Sequence, residues 1–274
     1  MYSQVNGIKI MDTFKFHQGS LPLLISMPHN GRDLAPEIEH KFTNSALKLA
    51  DTDWFMQELY AFTKDFSCSI ITPLFSRYII DLNRSPENTC LYKCADESEL
   101  CPTKTFSHEA IYKGAPPGAD EVNERLEKYY WPYHNRLKEW ITEAKESFGM
   151  ALIYEAHSIK SQVPRFFEGK LADLNLGTFD GKSCDERLEE IVWQEMQDSN
   201  YSCVSNGRFK GGYITRHYAR ASESVFTLQM EISQSCYLNE ETLQVVAPKF
   251  DELQGFLKGL FEKIILWVTT YGKV

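Results

Sequence analysis

The stretch LPLLISMPHNG at residues 21–31 contains a short apolar run that stops at a proline and delivers His29. Two further runs have the same form: GMALIYEAHS (149–158), which contains His157, and SVFTLQMEIS (224–233), which contains Glu231. Short apolar runs bounded by polar groups are typical of buried strands in an α/β sheet. Because ligands of open α/β sheets bind beyond the carboxyl ends of the strands, the three polar side chains are expected to converge.

Two histidines and a carboxylate, brought together from distant segments, form the donor set of a catalytic zinc with an open position for water. The alternative is that each residue is an ordinary polar group at a strand end. If the metal takes its carboxylate from outside the strands, Asp33, Asp51 and Asp53 are the candidates. Asp33 lies in a loop close to His29, whereas Asp51 and Asp53 begin a predicted helix that one of them is expected to cap.

Strands and helices alternate along the rest of the chain. Strands are predicted at 21–27, 69–72, 78–81, 150–156 and 225–232. Helices are predicted from 51–53 onward, over 121–147 as one helix or a pair kinked near Pro132, over 185–198 and over 240–269. Neither repeats nor a linker divides the chain, so we expect one catalytic domain, 1–274, built as a three-layer α/β/α sandwich.

Residues 85–120 read as a long loop with four prolines. A connection of this length is rarely idle in a compact domain. We therefore expect an insertion that covers or shapes the active site, and the alternative is a flexible surface excursion.

Composition excludes several classes of protein. The hydrophobic content of 43% and charged content of 24% are ordinary for a globular chain, and the net charge of -9 argues against nucleic-acid binding. Neither a signal peptide nor the run of about 20 apolar residues that spans a membrane is apparent, and we expect a cytoplasmic location. Seven cysteines do not suggest a disulfide framework, and the cluster Cys90, Cys94 and Cys101 lacks the CxxC pair of a structural zinc site. Nothing in the sequence indicates an oligomeric state.

The string SRYIIDLNR at 76–84 places Arg77, Asn83 and Arg84 around a predicted strand. Arginine binds carboxylates through two parallel hydrogen bonds, and an asparagine amide adds a further donor. These residues suit a small substrate that carries carboxylates. The alternative is a surface ion pair between Asp81 and Arg84, which contributes little energy.

The order of these residues resembles zinc carboxypeptidases and related deacylases, and more closely the N-formylglutamate amidohydrolase family. The matching strings run from about residue 20 to about 240: PHNG (28–31), DTDW (51–54), SRYIIDLNR (76–84), CPTKTF (101–106), EAHSIKSQVPRFFEGKLADLNLGTFDG (155–181), NGRFKGGYITRHYA (206–219) and LQMEISQ (228–234). Two positions depart from the family, which more often has Ser or Ala at Asn30 and Asp at Glu155.

The resemblance implies a role for each matching residue. His29, Asp53 and His157 would hold Zn²⁺ or another divalent transition metal. Glu231 would act as general base and Arg77 would steady the oxyanion. The residues implied to contact the substrate are Asn83, Arg84, Arg165, Tyr213 and Arg216.

The implied fold is a zinc-carboxypeptidase-like (phosphorylase/hydrolase-like) sandwich with a mixed central sheet. The implied activity is metal-dependent hydrolysis of N-formyl-L-glutamate to formate and L-glutamate, in histidine degradation. Three alternatives stay open: a deacylase of another N-acyl amino acid or a carboxypeptidase-like peptidase, a non-catalytic protein that binds an acidic metabolite, and a cysteine-dependent amidase. The last is disfavoured because no cysteine lies at a strand-to-helix turn beside a histidine.

Overall fold

The computed structural model describes residues 2–5, 8–91 and 96–271. The strands are β1 (Tyr2–Val5), β2 (Ile8–Met11), β3 (Phe14–His17), β4 (Leu23–Ser26), β5 (Ser69–Pro73), β6 (Ala151–Ile159), β7 (Leu174–Gly177), β8 (Cys203–Ser205), β9 (Val225–Ser233), β10 (Leu238–Asn239) and β11 (Gln244–Val245). The α-helices are α1 (Pro36–Glu39), α2 (Met56–Leu59), α3 (Ala119–Arg125), α4 (Trp131–Phe148), α5 (Glu186–Gln197), α6 (Tyr213–Tyr218) and α7 (Ala247–Thr270). Short 3₁₀ segments lie at Ala46–Lys48, Ala61–Lys64, Ala221–Glu223 and Gln234–Cys236, and a π-helical turn at Leu126–Tyr130 joins α3 to α4.

Seven strands form one sheet in the order β3-β5-β4-β6-β9-β7-β8. The central strands β5, β4, β6 and β9 are parallel neighbours, and β7 is parallel to β8. β3 pairs antiparallel with β5, and β7 pairs antiparallel with β9. The predicted mixed sheet is therefore confirmed.

Helices cover both faces of this sheet. One face packs against α5 and α7 through Leu188, Leu257 and Phe261, which cluster with Leu152 and Leu228. The other face packs against α4, whose buried residues recur every three or four positions, the spacing of one helix face. With both faces covered, every residue of β4, β6 and β9 is buried, and the predicted three-layer sandwich is confirmed.

The predicted strand at 78–81 is wrong. Residues 76–84 turn instead, because Ile79 N donates to Ser76 O at 2.9 Å and Asp81 N donates to Leu100 O at 2.7 Å. The polar side chains of the segment bond to groups nearby rather than lying along a ladder; Asn83 N, for example, donates to Asp81 Oδ1 at 2.9 Å. Tyr78, Ile79 and Ile80 are apolar because this turn is buried, and a buried strand would have the same composition.

The remaining boundaries differ by small amounts. The helix expected from 51–53 is the short α2, which passes into the 3₁₀ turn Ala61–Lys64. The region predicted as helical at 121–147 is helical from Ala119 to Phe148, with the π-helical turn Leu126–Tyr130 just before Pro132. The last helix begins only at Ala247, because the hairpin of β10 and β11 occupies the positions before it. Strands β3, β7 and β8 of the central sheet were not predicted.

Within the described ranges, no helix is both long and apolar enough to span a membrane.

Candidate active site

Three side chains meet at the carboxyl end of the parallel strands. His29 follows β4, His157 lies near the end of β6, and Asp53 lies in the turn before α2, where its N–H donates to His29 O at 3.1 Å. Asp53 Oδ2 is 3.1 Å from His157 Nδ1 and 3.9 Å from His29 Nδ1. One ligand atom from each residue lies within 4.8 Å of the others, and all three residues are buried. This group can hold a metal ion.

A second carboxylate lies behind each histidine. His29 Nε2 is 2.7 Å from Asp81 Oδ1, and His157 Nε2 is 3.2 Å from Glu155 Oε1. Such contacts fix the orientation of a ligating histidine, and they leave both Nδ1 atoms directed at Asp53.

The charge balance around His157 suits a cation. Burial alone lowers the pKa of this imidazole, but hydrogen bonds to Asp53 and Glu155 outweigh burial and raise the pKa to about 10. The protein therefore stabilises a positive charge at this point. Two imidazole nitrogens and a carboxylate oxygen are also the donor types that a divalent transition metal takes. The residues present fit such an ion.

The structure separates the three aspartates that the sequence left open. Asp53 contacts the histidines, whereas Asp51 accepts hydrogen bonds from Tyr78 Oη at 2.7 Å and Phe106 N at 2.8 Å. Asp33 is exposed and forms an isolated bridge with Phe75. Of the three, Asp53 alone belongs to the candidate metal group.

Glu231 lies beside the metal group on β9, where it is paired in register with His157 of β6. Its carboxylate is buried and accepts a hydrogen bond from Gln229 Nε2 at 3.3 Å. Burial, with a further contribution from Asp53, raises the pKa of Glu231 to about 8, although His157 and Arg77 act in the opposite direction. A carboxylate tuned in this way can both accept and return a proton near neutral pH.

Arg77 is buried and lines the same pocket. One terminal nitrogen donates to Asp81 Oδ2 at 2.5 Å, and the guanidinium lies 4.9 Å from the centre of the Phe106 ring. Burial raises the pKa of Asp81, but Arg77 and His29 outweigh burial and hold this pKa well below its usual range. The buried Nε–H of Arg77 has no hydrogen-bond partner among the described residues, so a donor remains for a bound group.

Asn83 and Arg84 follow Asp81 and also line the pocket. Asn83 Oδ1 accepts from Ile214 N at 2.8 Å, and its amide nitrogen lies 3.1 Å from His157 Nε2. Arg84 is half-buried and donates to Asn83 O and to two oxygens of Ser98.

The remaining three predicted substrate contacts are not part of the pocket lining. Arg165 donates to Asp96 and to backbone oxygens of residues 97, 104 and 105. Arg216 donates to the backbone oxygens of Gly211 and Leu91, and Tyr213 stacks on His217. Both arginines therefore hold loops that themselves reach the pocket.

The pocket encloses about 610 Å³, including its open mouth. Four side chains of the 85–120 segment contribute to its wall: Leu91, Asp96, Glu97 and Phe106. The lining residues that the sequence reasoning missed also include Phe166, Arg208, Phe209 and Gln229. Gln229 was detectable, since residues 229 and 231 share one face of a strand. Arg208 stood in a matching string but had no signal that set it apart from Arg216.

None of the described cysteines lines this pocket, which leaves a cysteine-dependent amidase without a nucleophile there. Of the predicted cysteine cluster, Cys90 is exposed and Cys101 is buried. Cys94 lies outside the described residues.

The fold and the site define a three-layer α/β protein with a buried group of two histidines and one carboxylate in a pocket at the carboxyl end of the parallel strands. Residues 21–238 match the N-formylglutamate amidohydrolase family, and the chain belongs to that family. It is 41% identical to an N-formylglutamate deformylase of Pseudomonas putida over 258 residues. This alignment covers 92% of this chain and 95% of the relative. A Pseudomonas aeruginosa protein of the same name is 37% identical over 262 residues, covering 93% and 97%.

Two crystal structures share the fold. The N-formylglutamate amidohydrolase from Ralstonia eutropha JMP134 aligns with a TM-score of 0.81 at 24% identity, covering 94% of this chain and 99% of the other. The gene product Atu2144 from Agrobacterium tumefaciens aligns with a TM-score of 0.70 at 17% identity, covering 93% and 96%. At these identities the likeness concerns the fold alone.

Proposed function

We propose that this protein hydrolyses the formamide bond of N-formyl-L-glutamate to formate and L-glutamate, as a metal-dependent amidohydrolase of histidine degradation. The family match and the names of the two Pseudomonas relatives support the substrate. The main support for metal-dependent hydrolysis is that His29, Asp53 and His157 form a buried group next to Glu231 in one pocket.

His29, Asp53 and His157 would hold the metal, for which Zn²⁺ is the first choice given two imidazoles and a carboxylate. When bound, the ion supplies Lewis acidity that polarises the formyl carbonyl and makes a nearby water more acidic. Asp81 and Glu155 keep the two imidazoles in position for this purpose.

Glu231 is the proton carrier. As water attacks the formyl carbon, the Glu231 carboxylate accepts a proton from the water. It then transfers that proton to the departing nitrogen of glutamate as the C–N bond breaks. A raised pKa favours the second step, because the protonated carboxyl is then a usable acid at neutral pH. Gln229 holds the carboxylate through its amide.

Arg77 donates to the oxygen that becomes negative during attack, and its unpartnered Nε–H supports this role. A well-placed donor of this kind stabilises the transition state by roughly 3–4 kcal/mol. Asn83 and Arg84 bind the substrate's α-carboxylate from the same wall of the pocket. The formyl group is too small to give much binding energy, so specificity comes from contacts with the carboxylates.

We further propose that residues 1–274 act as a single catalytic domain in which 85–120 shapes the active site. The side chains of Leu91, Asp96, Glu97 and Phe106 in the pocket wall support this assignment. Arg84 and Arg165 hold that wall through their bonds to residues 96–98.

A substrate panel tests the proposal. The purified, zinc-supplemented protein is given N-formyl-L-glutamate, N-acetyl-L-glutamate and a dipeptide that ends in glutamate, and the products are followed by proton NMR. The proposal predicts formate release in strong preference to the other two reactions. Preferred release of acetate or of an amino acid would favour the other deacylase or the peptidase. Tight binding of glutamate without any turnover would favour a binding protein.

A further inference from the structure

Among the described residues, three arginines line the pocket: Arg77, Arg84 and Arg208. Arg77 is paired with the buried Asp81. Arg84 donates to Ser98 and Asn83 and is assigned, with Asn83, to the α-carboxylate. N-formylglutamate carries two carboxylates at neutral pH, so a second cationic contact is required. We propose that Arg208 binds the side-chain carboxylate and so determines specificity for glutamate, an inference that rests on the proposed function.

The surroundings of Arg208 fix its direction. Its Nε–H donates to Phe166 O at 2.7 Å, and the guanidinium carbon lies 5.5 Å from the centre of the Phe209 ring and 5.9 Å from that of Phe166. Both rings line the pocket beside it. Aromatic rings at these distances attract the cation and keep water from one side of it. Such a guanidinium is preorganised to bind a carboxylate.

Arg208 also reaches the pocket from a separate part of the chain. It lies between β8 and α6, whereas Asn83 and Arg84 follow β5. A ligand with carboxylates at both ends can therefore be held by two independent loops. Contacts with the α-carboxylate alone would not distinguish glutamate from glutamine, because both carry that group.

The other basic residues near this loop are directed elsewhere. Lys210 is paired with Asp180 at 2.9 Å. Arg165 and Arg216 bond to backbone oxygens of the pocket wall and do not line it. The pocket lining also contains the carboxylates of Asp53, Asp96, Glu97 and Glu231, so a dianionic ligand depends on each arginine that does face the pocket.

The test compares a charged ligand with its neutral isostere. Values of kcat/KM are measured for N-formyl-L-glutamate and N-formyl-L-glutamine with the wild type, Arg208→Gln, Arg208→Lys and the control Arg165→Gln. A lost bidentate contact with a charged group reduces affinity by roughly 10- to 100-fold. We expect Arg208→Gln to lose this factor for the glutamate substrate, mainly through KM, and to change less than about threefold for the glutamine substrate. Arg208→Lys is expected to recover part of the preference, and Arg165→Gln to affect both substrates equally.

Binding of the product L-glutamate and of its neutral isostere L-glutamine gives a readout without turnover. Calorimetric titration with L-glutamate and L-glutamine is expected to show the same loss of preference in Arg208→Gln, with unchanged melting temperature and metal content. Equal losses for both ligands, or an unchanged preference for glutamate, would overturn the assignment. If the wild type binds glutamate through Arg208 but does not hydrolyse N-formylglutamate, the proposed function fails while the Arg208 assignment stands.

Discussion

Asp81 accepts a hydrogen bond from His29 Nε2 at 2.7 Å, deep in the protein where the Asp81 side chain is not exposed to solvent. The second oxygen of the same carboxylate accepts from Arg77. One aspartate thus orients both a candidate metal ligand and the residue that would steady the oxyanion. The sequence pattern gave Asp81 only the role of a surface ion pair with Arg84, which this burial contradicts.

Replacing Asp81 by Asn is expected to weaken zinc binding by about 10- to 100-fold, because loss of the partner frees the orientation and tautomer of His29. The affinity is measured by competition with a chromogenic chelator, using metal-free protein. Asp180→Asn, which alters an exposed pair with Lys210, is the matched control. An unchanged zinc affinity in folded Asp81→Asn would remove Asp81 from the metal site.

Asp53 and Asp51 are expected to respond differently to the same change. Asp53→Asn should lose bound metal, measured by atomic emission on dialysed protein, since its carboxylate lies between the histidines. Asp51→Asn should keep the metal and lose about 1–3 kcal/mol of stability, because the buried Tyr78 hydroxyl and the half-buried Phe106 N–H lose a charged acceptor. The reverse pattern would mean that the ligand has been misassigned.

Glu231→Gln is expected to bind zinc normally and to lose about 10²–10⁴-fold in kcat, because the amide cannot carry a proton. Glutamine has nearly the same size and shape as glutamate, so we expect the variant to fold. An unchanged melting temperature checks this. Glu262→Gln, an exposed change on α7, is the control. Wild-type turnover in a folded, metal-loaded Glu231→Gln variant would eliminate the proposed proton carrier.

Asn83 leaves no room for a side chain at Gly212. A Cβ at this position would lie 2.3 Å from Asn83 Nδ2, and Asn83 cannot move away without losing its bond to Ile214 N. Gly212→Ala is therefore expected to raise KM at least about tenfold by displacing Asn83, which we propose binds a substrate carboxylate. At Gly114 an added Cβ meets nothing within 4 Å, so Gly114→Ala is expected to leave KM unchanged. Equal kinetics for the two variants would contradict the placement of Asn83.

His134 is expected to make the protein sensitive to acid. It is buried between Leu82 O and Tyr218 Oη, and burial lowers its pKa to about 3. The imidazole becomes protonated near pH 6.5 in the unfolded chain but stays neutral in the folded protein. The contribution of neutral His134 to the free energy of unfolding is therefore fully present above pH 6.5. It is lost as the pH falls toward 3, at about 1.4 kcal/mol per pH unit.

The free energy of unfolding, measured by urea titration from pH 7 to pH 4, checks this dependence. His134→Gln is expected to have a lower stability at pH 7 and a flatter pH profile than the wild type. The exposed His17→Gln serves as the control. A profile for His134→Gln as steep as that of the wild type would assign the acid sensitivity to other groups.

The sequence predicts the buried parallel strands well because their composition follows from burial on both faces. His29, His157 and Glu231 were found on this basis, since residues at the ends of parallel strands share one edge of the sheet. The strand predicted at 78–81 failed because a buried turn requires the same apolar residues as a buried strand.

Contacts between loops were beyond reach of the sequence. Arg165, Arg208 and Arg216 have the same chemistry, and only the three-dimensional path of the loops decides which one faces the pocket. The contact of Asp81 with His29 likewise joins segments far apart in the chain, whereas Glu155 lies only two residues from His157, on the same strand. Gly31 illustrates the same limit: it is required by close approach to Phe75 O, where an added Cβ would lie at 2.2 Å.

The most direct test follows formate release from N-formyl-L-glutamate while zinc is titrated into chelator-treated, metal-free protein. We expect no turnover without metal, a linear rise with added zinc, and a plateau at one equivalent per chain. Full turnover by the metal-free protein would contradict the metal-dependent chemistry. A folded, zinc-loaded protein that releases no formate would contradict the proposed substrate.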